Sequence, residues 1–283
     1  LASWQQIHTL LTNESGGIID EITITNTNLG LMLVVNALCK QKVFDYLKQN
    51  LSNDCEFIEL AEQALFAVQG PKSAQIMRKL SPKTAQLKHK HACSTEICNI
   101  PCITSRSGFT GEDGFEISVS EQFAEPLARL LLVESLLKPA GLAARETLRM
   151  EAGYCAYDKE LGETISPISA RKECLVDSSR MDFPGAALID SERKHGAEKV
   201  LVGLKVAGKT QVEEGSILYN EETQALGHVT STCFSPTLEK PIAMAYLDSH
   251  YAKPGSILMT QVQNQKVIVS VTELPFVQHR HFN

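Results

Sequence analysis

The chain has 283 residues, 43% of them apolar, 21% charged and 6% aromatic, with a formal net charge of -6. That length and apolar content supply one to three domains with a proper core, and exclude a disordered tail or a coiled coil. The acidic balance argues against a broad nucleic-acid surface or an anionic-membrane anchor, and no apolar run reaches the ~18 residues of a membrane span. Eight cysteines are scattered through a chain with ample core, which points to reduced thiols rather than a disulfide scaffold.

In chain order, turn chemistry at Asn13–Gly17 precedes a strand from Ile18 to Thr25, and a second strand covers Leu31 to Val35. A helix is predicted from Cys39 to Leu51, then strands at Phe57–Leu60 and Leu65–Val68. Gly70-Pro71 opens a helix through Leu80, with Pro71 in its first turn. Cys102–Thr104, a wide glycine-hinged turn at 110–114 and a strand from Phe115 to Val119 read as a hairpin. A long helix from Glu121 to Leu137 and another from Ala143 to Glu151 follow, the latter stopped by Gly153. Beyond Gly196 the texture changes to short β-rich pieces: Val200–Val206, Gly227–Thr232, Ile242–Leu247 and Val267–Val271. The pattern predicts an α+β body over 1–195 and an all-β domain, a barrel or sandwich, over 196–283.

No GxGxxG follows a strand, and neither a P-loop nor a GxSxG elbow is present, so a nucleotide kinase, a Rossmann dehydrogenase and a serine hydrolase lose their local support. His89, His91, Cys93, Cys98 and Cys102 form a group that invites a metal reading, with the first three on one strand face. Their spacing lacks paired CxxC knuckles, and a basic surface strand beside half-buried thiols accounts for them better, so no metal is assigned. Three placements stand out. Asp20 opens a strand after a Gly-Gly turn, Glu116 interrupts an apolar strand, and Arg145 and Arg149 sit four apart on one helix face. Each has a plainer reading: a turn cap, a solvent-facing position, an ion pair with a neighbour. Taken singly, they say only that an acidic pocket is available.

Three segments together are more specific: NESGGIIDE (13–21), SGFTGEDGFEIS (107–118) and GLAARETLRMEAG (141–153). With LFAVQGP (65–71), MDFPG (181–185), SPTL (235–238) and PFV (275–277) in the same order, the chain from about residue 7 to 277 resembles the T-protein of the glycine cleavage system, the tetrahydrofolate-dependent aminomethyltransferases. The resemblance implies mixed α/β folate-binding lobes, two of them interleaved, around a central cavity, followed by a C-terminal β-barrel. It implies transfer of a methylene carbon from an aminomethyl group on the lipoyl arm of the H-protein to tetrahydrofolate, giving 5,10-methylenetetrahydrofolate and ammonia. Tetrahydrofolate is then the co-substrate, the lipoyl group comes from the partner, and no metal takes part.

Residue by residue, Asp20 matches the family's catalytic aspartate, Glu116 its pterin-binding glutamate and Arg145 a ligand-site arginine. His281 stands where some members place a ligand-contacting tyrosine. The resemblance also implies a segment ahead of Leu1 that this chain lacks, a longer stretch than Ile168–Arg180, a tryptophan-containing strand, a small residue at Leu38 and an acid at Val43. The MDFPG stretch is similar to mitochondrial members, which implies the mitochondrial matrix, with a bacterial cytoplasm as the alternative. Two other functions stay open: the folate domain of a sarcosine or dimethylglycine dehydrogenase, and a folate-binding relative without activity.

Overall fold

The computed structural model describes residues 1–51 and 55–281. The chain opens on an antiparallel sheet of β1 (Gln6–Thr12), β2 (Ile18–Thr27) and β3 (Gly30–Val34), paired in the order 1-2-3. The β1–β2 turn is closed by the Asn13 side chain, whose Oδ1 accepts from the backbone N–H groups of Ser15 (3.0 Å) and Gly17 (2.9 Å). Only glycine fits at 17, because a Cβ there would stand 1.7 Å from the Glu163 carbonyl oxygen. After β3 a short 3-10 turn (Ala37–Cys39) leads into α1 (Lys40–Leu51), which buries Val43 against Ile19 and Cys39. An acid at 43 has no place in that contact.

A second sheet, ordered β4-β7-β6-β5, consists of β4 (Gln63–Gln69), β5 (Ala92–Ile97), β6 (Ile100–Ser105) and β7 (Gly114–Ser120). Its apolar face carries Val68, Phe115, Ile117 and Val119 and is covered by α2 (Ser73–Leu80) and α3 (Ala124–Val133) through Met77, Leu127 and Leu131. The predicted hairpin is present as the antiparallel β6–β7 pair.

Several sequence expectations are corrected here. Phe57–Leu60 forms no strand. Pro71 precedes the helix, whose N-cap is Lys72. The 121–137 helix is split: a 3-10 turn (Glu121–Phe123) hands over to α3, which places Pro126 in its first turn, where a missing N–H is tolerated. The chain leaves α3 at Glu134, whose carboxylate takes Lys79 at 2.6 and 2.9 Å. His89 and His91 lie outside β5, so they share no strand face with Cys93. Among the described residues no group of three or more His, Cys, Asp or Glu is arranged to hold a metal. All eight cysteines are free thiols.

Next, α4 (Leu142–Glu151) and α5 (Ala186–His195) precede a closed barrel ordered β10-β11-β8-β13-β12-β9. Its strands are β8 (Lys199–Val206), β9 (Ile217–Tyr219), β10 (Ala225–Ser235), β11 (Lys240–Asp248), β12 (Ile257–Val262) and β13 (Gln265–Thr272). The interior is largely apolar, with Leu204, Leu218, Ala245, Leu247 and Val269 among its fully enclosed side chains, and the one buried hydroxyl on the inward face of β12, Thr260, donates to the Ile217 carbonyl at 2.8 Å. The mixed α/β body and C-terminal barrel expected from the resemblance are both present. In contrast, α5 was not anticipated, because only Ala186 and Ile189 are buried on it and its periodicity is weak.

Candidate functional site

Asp20 sits on β2, and its side chain is wholly enclosed, at 0% exposure. Asn36, at the mouth of the 3-10 turn, serves it twice: the backbone N–H donates to Oδ2 (3.0 Å) and the side-chain amide to Oδ1 (2.6 Å). The same amide reaches the Glu21 carbonyl at 3.3 Å, which ties the turn to the strand. Burial pushes the Asp20 carboxyl above the usual range, and the Asn36 donors and the Cys39 thiol only partly offset this. Asp20 is therefore more than a turn cap: it is a desolvated carboxyl held in one orientation.

Glu116 lies on β7, mostly buried, with a carboxyl that burial also pushes up, opposed by the Ser107 hydroxyl and by Arg145. Ser107 donates to Oε2 at 2.5 Å, and its own oxygen stands 2.8 Å from Ser105 Oγ. Since the Ser107 proton is committed to the glutamate, Ser105 is the donor in that pair. No donor to Glu116 Oε1 is present among the described residues.

The loop before β7 is held from beneath. Arg106 engages Asp113 through two parallel bonds, Nε–Oδ1 at 2.8 Å and Nη2–Oδ2 at 2.6 Å, and donates a third to the Leu87 carbonyl at 2.9 Å. The Gln69 amide donates to the carbonyls of Ser107 (3.0 Å) and Phe115 (3.3 Å), while its oxygen accepts from Thr110 (3.2 Å). Gly111 adopts φ +74° where a Cβ would stand 2.8 Å from Ala152 Cβ, so the loop lies directly on the end of α4. The SGFTGEDG motif thus encodes a clamped loop beside Glu116.

Arg145, on the first turns of α4, is 56% exposed and makes one long contact, 3.4 Å to Glu146. Its guanidinium remains available to a ligand while biasing Glu116. Arg149, one turn on, plays a different part. It is buried, with bonds to Glu160 (2.9 Å), Glu146 (3.0 Å), Ser231 (2.9 Å) and the Tyr154 carbonyl (3.1 Å). His281 is far along the chain from the others and lies against Tyr154 and the Glu112 carbonyl. Arg145 lies within electrostatic reach of Glu116, and among the described residues Asp20 makes no contact with either of them.

Sequence reasoning missed Asn36, Ser107 and the Glu21–Lys172 pair. Lys172 reaches Glu21 at 3.1 Å in a largely enclosed setting. It comes from the 168–180 stretch, which carries a 3-10 turn (Glu173–Leu175). A lone asparagine closing a strand and a lysine in an irregular stretch carry no pattern that periodicity can detect.

A clamped Gly-rich loop and two desolvated carboxyls on separate sheets are the features of the candidate site. The comparisons with known proteins give the family. The GCVT N-terminal domain is matched over residues 2–180, and the glycine cleavage T-protein C-terminal barrel domain over residues 199–278. The mitochondrial aminomethyltransferase of Dictyostelium discoideum is 35% identical, covering 95% of this chain and 72% of the relative. That of Homo sapiens is 36% identical over 96% of this chain and 70% of its own length. A bacterial aminomethyltransferase, from Thermosynechococcus vestitus, is 34% identical over 96% of this chain and 74% of its own length. The crystal structure of glycine cleavage system aminomethyltransferase T from Bartonella henselae superposes with a TM-score of 0.93 at 32% identity, covering all of this chain and 79% of that one. The chain belongs to the aminomethyltransferase family of the glycine cleavage system, a family of transferases. Its relatives include both mitochondrial and bacterial proteins.

Proposed function

We propose that the chain binds tetrahydrofolate between Glu116 and Asp20 and moves onto it the methylene carbon of an aminomethyl group carried by a lipoylated H-protein. The observation that carries this reading is Glu116: a buried carboxyl with one hydroxyl donor, an open second oxygen and a guanidinium nearby. A 2-amino-4-oxo pterin edge presents adjacent N–H donors that match two carboxylate oxygens. Ser107 fixes Glu116 for that contact, and Arg145 engages a ligand oxygen.

Asp20 serves the reacting end. In the transfer, two folate nitrogens form C–N bonds to the methylene carbon while its bonds to sulfur and to the amine nitrogen break. The two folate protons end on the released ammonia and on the lipoyl thiol, and no oxidant is needed. Positive charge builds at the methylene carbon as the amine departs, and an anion held beside it lowers that barrier. The raised pKa of Asp20 suits it to pass a proton between folate and the leaving amine. Because Asp20 is enclosed, the Asn36 amide gives way when the folate nitrogens arrive. No metal enters the scheme.

We also take 1–195 as the folate-binding region and 196–283 as the barrel domain. We place the protein in the mitochondrial matrix rather than a bacterial cytoplasm, a reading supported by the mitochondrial relatives. The test is 5,10-methylenetetrahydrofolate formation from aminomethylated, lipoylated H-protein and tetrahydrofolate. Turnover that depends on both and on Asp20 is expected. No turnover, or equal turnover by wild type and Asp20→Asn, overturns the reading.

A further inference from the structure

The last described residues return from the barrel to the α+β body. Val277 N–H donates to the Glu151 carbonyl (2.8 Å) and Arg280 N–H to the Gly111 carbonyl (2.7 Å). Residues 112 and 280 form a parallel β-bridge, and the Arg280 guanidinium pairs with the Glu112 carboxylate. The segment thus grips the loop that precedes Glu116.

Its two histidines join a run of rings that crosses the molecule. His8 on β1 meets Phe109 of the loop at 5.6 Å, and Phe109 meets Tyr154, just past α4, at 5.7 Å. Tyr154 stacks on His279 (5.1 Å), His279 meets His281 (5.1 Å), and His281 stacks on His89 (4.4 Å, planes 17° apart). One end of this run lies on the sheet that carries Asp20, since His8 pairs with Thr23 of β2. Its middle lies on the loop that carries Ser107.

The hydrogen bonds fix the chemistry of His281. A carbonyl oxygen only accepts, so the 3.2 Å contact to Glu112 O requires the proton on Nδ1. Burial disfavours the charged ring, and in the neutral ring Nε2 accepts from the Tyr154 hydroxyl at 3.1 Å. Both nitrogens are thereby committed within the protein. We infer that His281, with Arg280, is a positioning residue for the folate site. It acts through Tyr154 and the 107–113 loop, setting the gap between the Asp20 side and the Glu116 side. This rests on the folate reading above and gives His281 a role other than ligand contact.

Protonating His281 turns Nε2 from acceptor to donor, so the Tyr154 hydroxyl must give up its present donation and rotate. The groups facing the ring are His89 and Lys90 ahead of β5, Glu112 and Asp113 in the loop, Tyr154 after α4, and His279 and Arg280 on its own segment. Burial and His279 hold its pKa below the ordinary 6.5, so the latch is intact at neutral pH.

The test is calorimetric titration with tetrahydrofolate of wild type, Glu116→Gln, His281→Ala, His281→Gln and Arg280→Ala, with melts and steady-state rates alongside. A glutamine oxygen occupies the position of Nε2 and still accepts from Tyr154. His281→Ala is expected to weaken folate binding about tenfold, leaving kcat at saturating folate within about twofold. His281→Gln should restore most of that affinity and keep it as pH falls through the lowered pKa of His281, where wild type loses it. Arg280→Ala should weaken binding a few fold.

Wild type and His281→Ala binding alike overturns the latch alone. So does a fall in melting temperature, kcat and affinity together that glutamine fails to rescue, since that is a general structural role. No binding by wild type overturns the latch and the folate reading together. Binding that Glu116→Gln leaves unchanged, with His281→Ala weakened, overturns only the assignment of Glu116.

Discussion

The seam between α4 and the barrel and the candidate site are both built on buried carboxylates, and they differ in how fully those carboxylates are served. At the seam, Glu160 takes four donors: Arg149 and Ala156 N–H on one oxygen (both 2.9 Å), Thr230 (2.7 Å) and Ser231 (2.5 Å) on the other. Glu151 takes Ser235 (2.5 Å), Thr237 N–H (3.1 Å) and Thr237 Oγ1 (2.8 Å), which explains the SPTL segment. At the site, Asp20 takes the two Asn36 donors, with weaker support from the Cys39 thiol and the Glu21 backbone, and among the described residues Glu116 takes only Ser107. A buried charge with every lone pair occupied is structural, because nothing is left to offer a ligand. A buried charge with capacity to spare is a cost to the fold, recovered when a ligand supplies the missing donors.

The comparison breaks hardest at the seam. Arg149→Ala leaves Glu160 buried without its cation and should cost about 3–5 kcal/mol of stability, read from urea unfolding. At the site the same kind of deletion should spare the fold and strike function. Asp20→Asn is expected to lower kcat about a hundredfold or more with tetrahydrofolate affinity largely kept. Glu116→Ala removes the acceptor pair for the pterin and should weaken folate binding by about 2 kcal/mol, seen by titration calorimetry.

A pH series sharpens the contrast. Glu116 has a folded-state pKa raised above its ordinary 4.5, so its stabilising contribution is full below pH 4.5 and is lost as pH rises through the folded value. Glu116→Gln lacks that loss, so its stability relative to wild type should improve from acid to neutral pH. His8 and His89 are held down to about 4 by burial, the opposite sign for a base. Their contribution is full above 6.5 and disappears as pH falls toward 4, so His89→Gln should blunt the acid unfolding limb. The smallest effect concerns the thiols. Cys155, pushed up to about 12 by burial, should resist alkylation at neutral pH, while the exposed Cys55, Cys98 and Cys174 are modified, as mass spectrometry will read.

How far the sequence reached follows the same divide. β7, with its alternating burial, is legible because periodicity reports one-sided burial, and β8 and β11 because a continuous aliphatic run marks a strand buried on both faces. The short β9 and the amphipathically weak α5 give no such signal. The α4 helix itself was read correctly. The division of labour between its two arginines was not, since exposure at 145 and burial at 149 depend on a barrel strand eighty residues away. Asp20, Glu116 and Arg145 came from their place in an ordered set of motifs. Asn36, Ser107 and Lys172 come only from folding, because each acts on a residue distant in sequence or hidden in an irregular turn.

The central claim is that the under-served carboxylates divide folate binding from chemistry. One titration of tetrahydrofolate into wild type, Asp20→Asn and Glu116→Gln tests it most directly. The account predicts saturable binding by wild type, nearly unchanged binding by Asp20→Asn, and a clear loss of affinity in Glu116→Gln. Absence of binding by wild type, or a greater loss in Asp20→Asn than in Glu116→Gln, contradicts it.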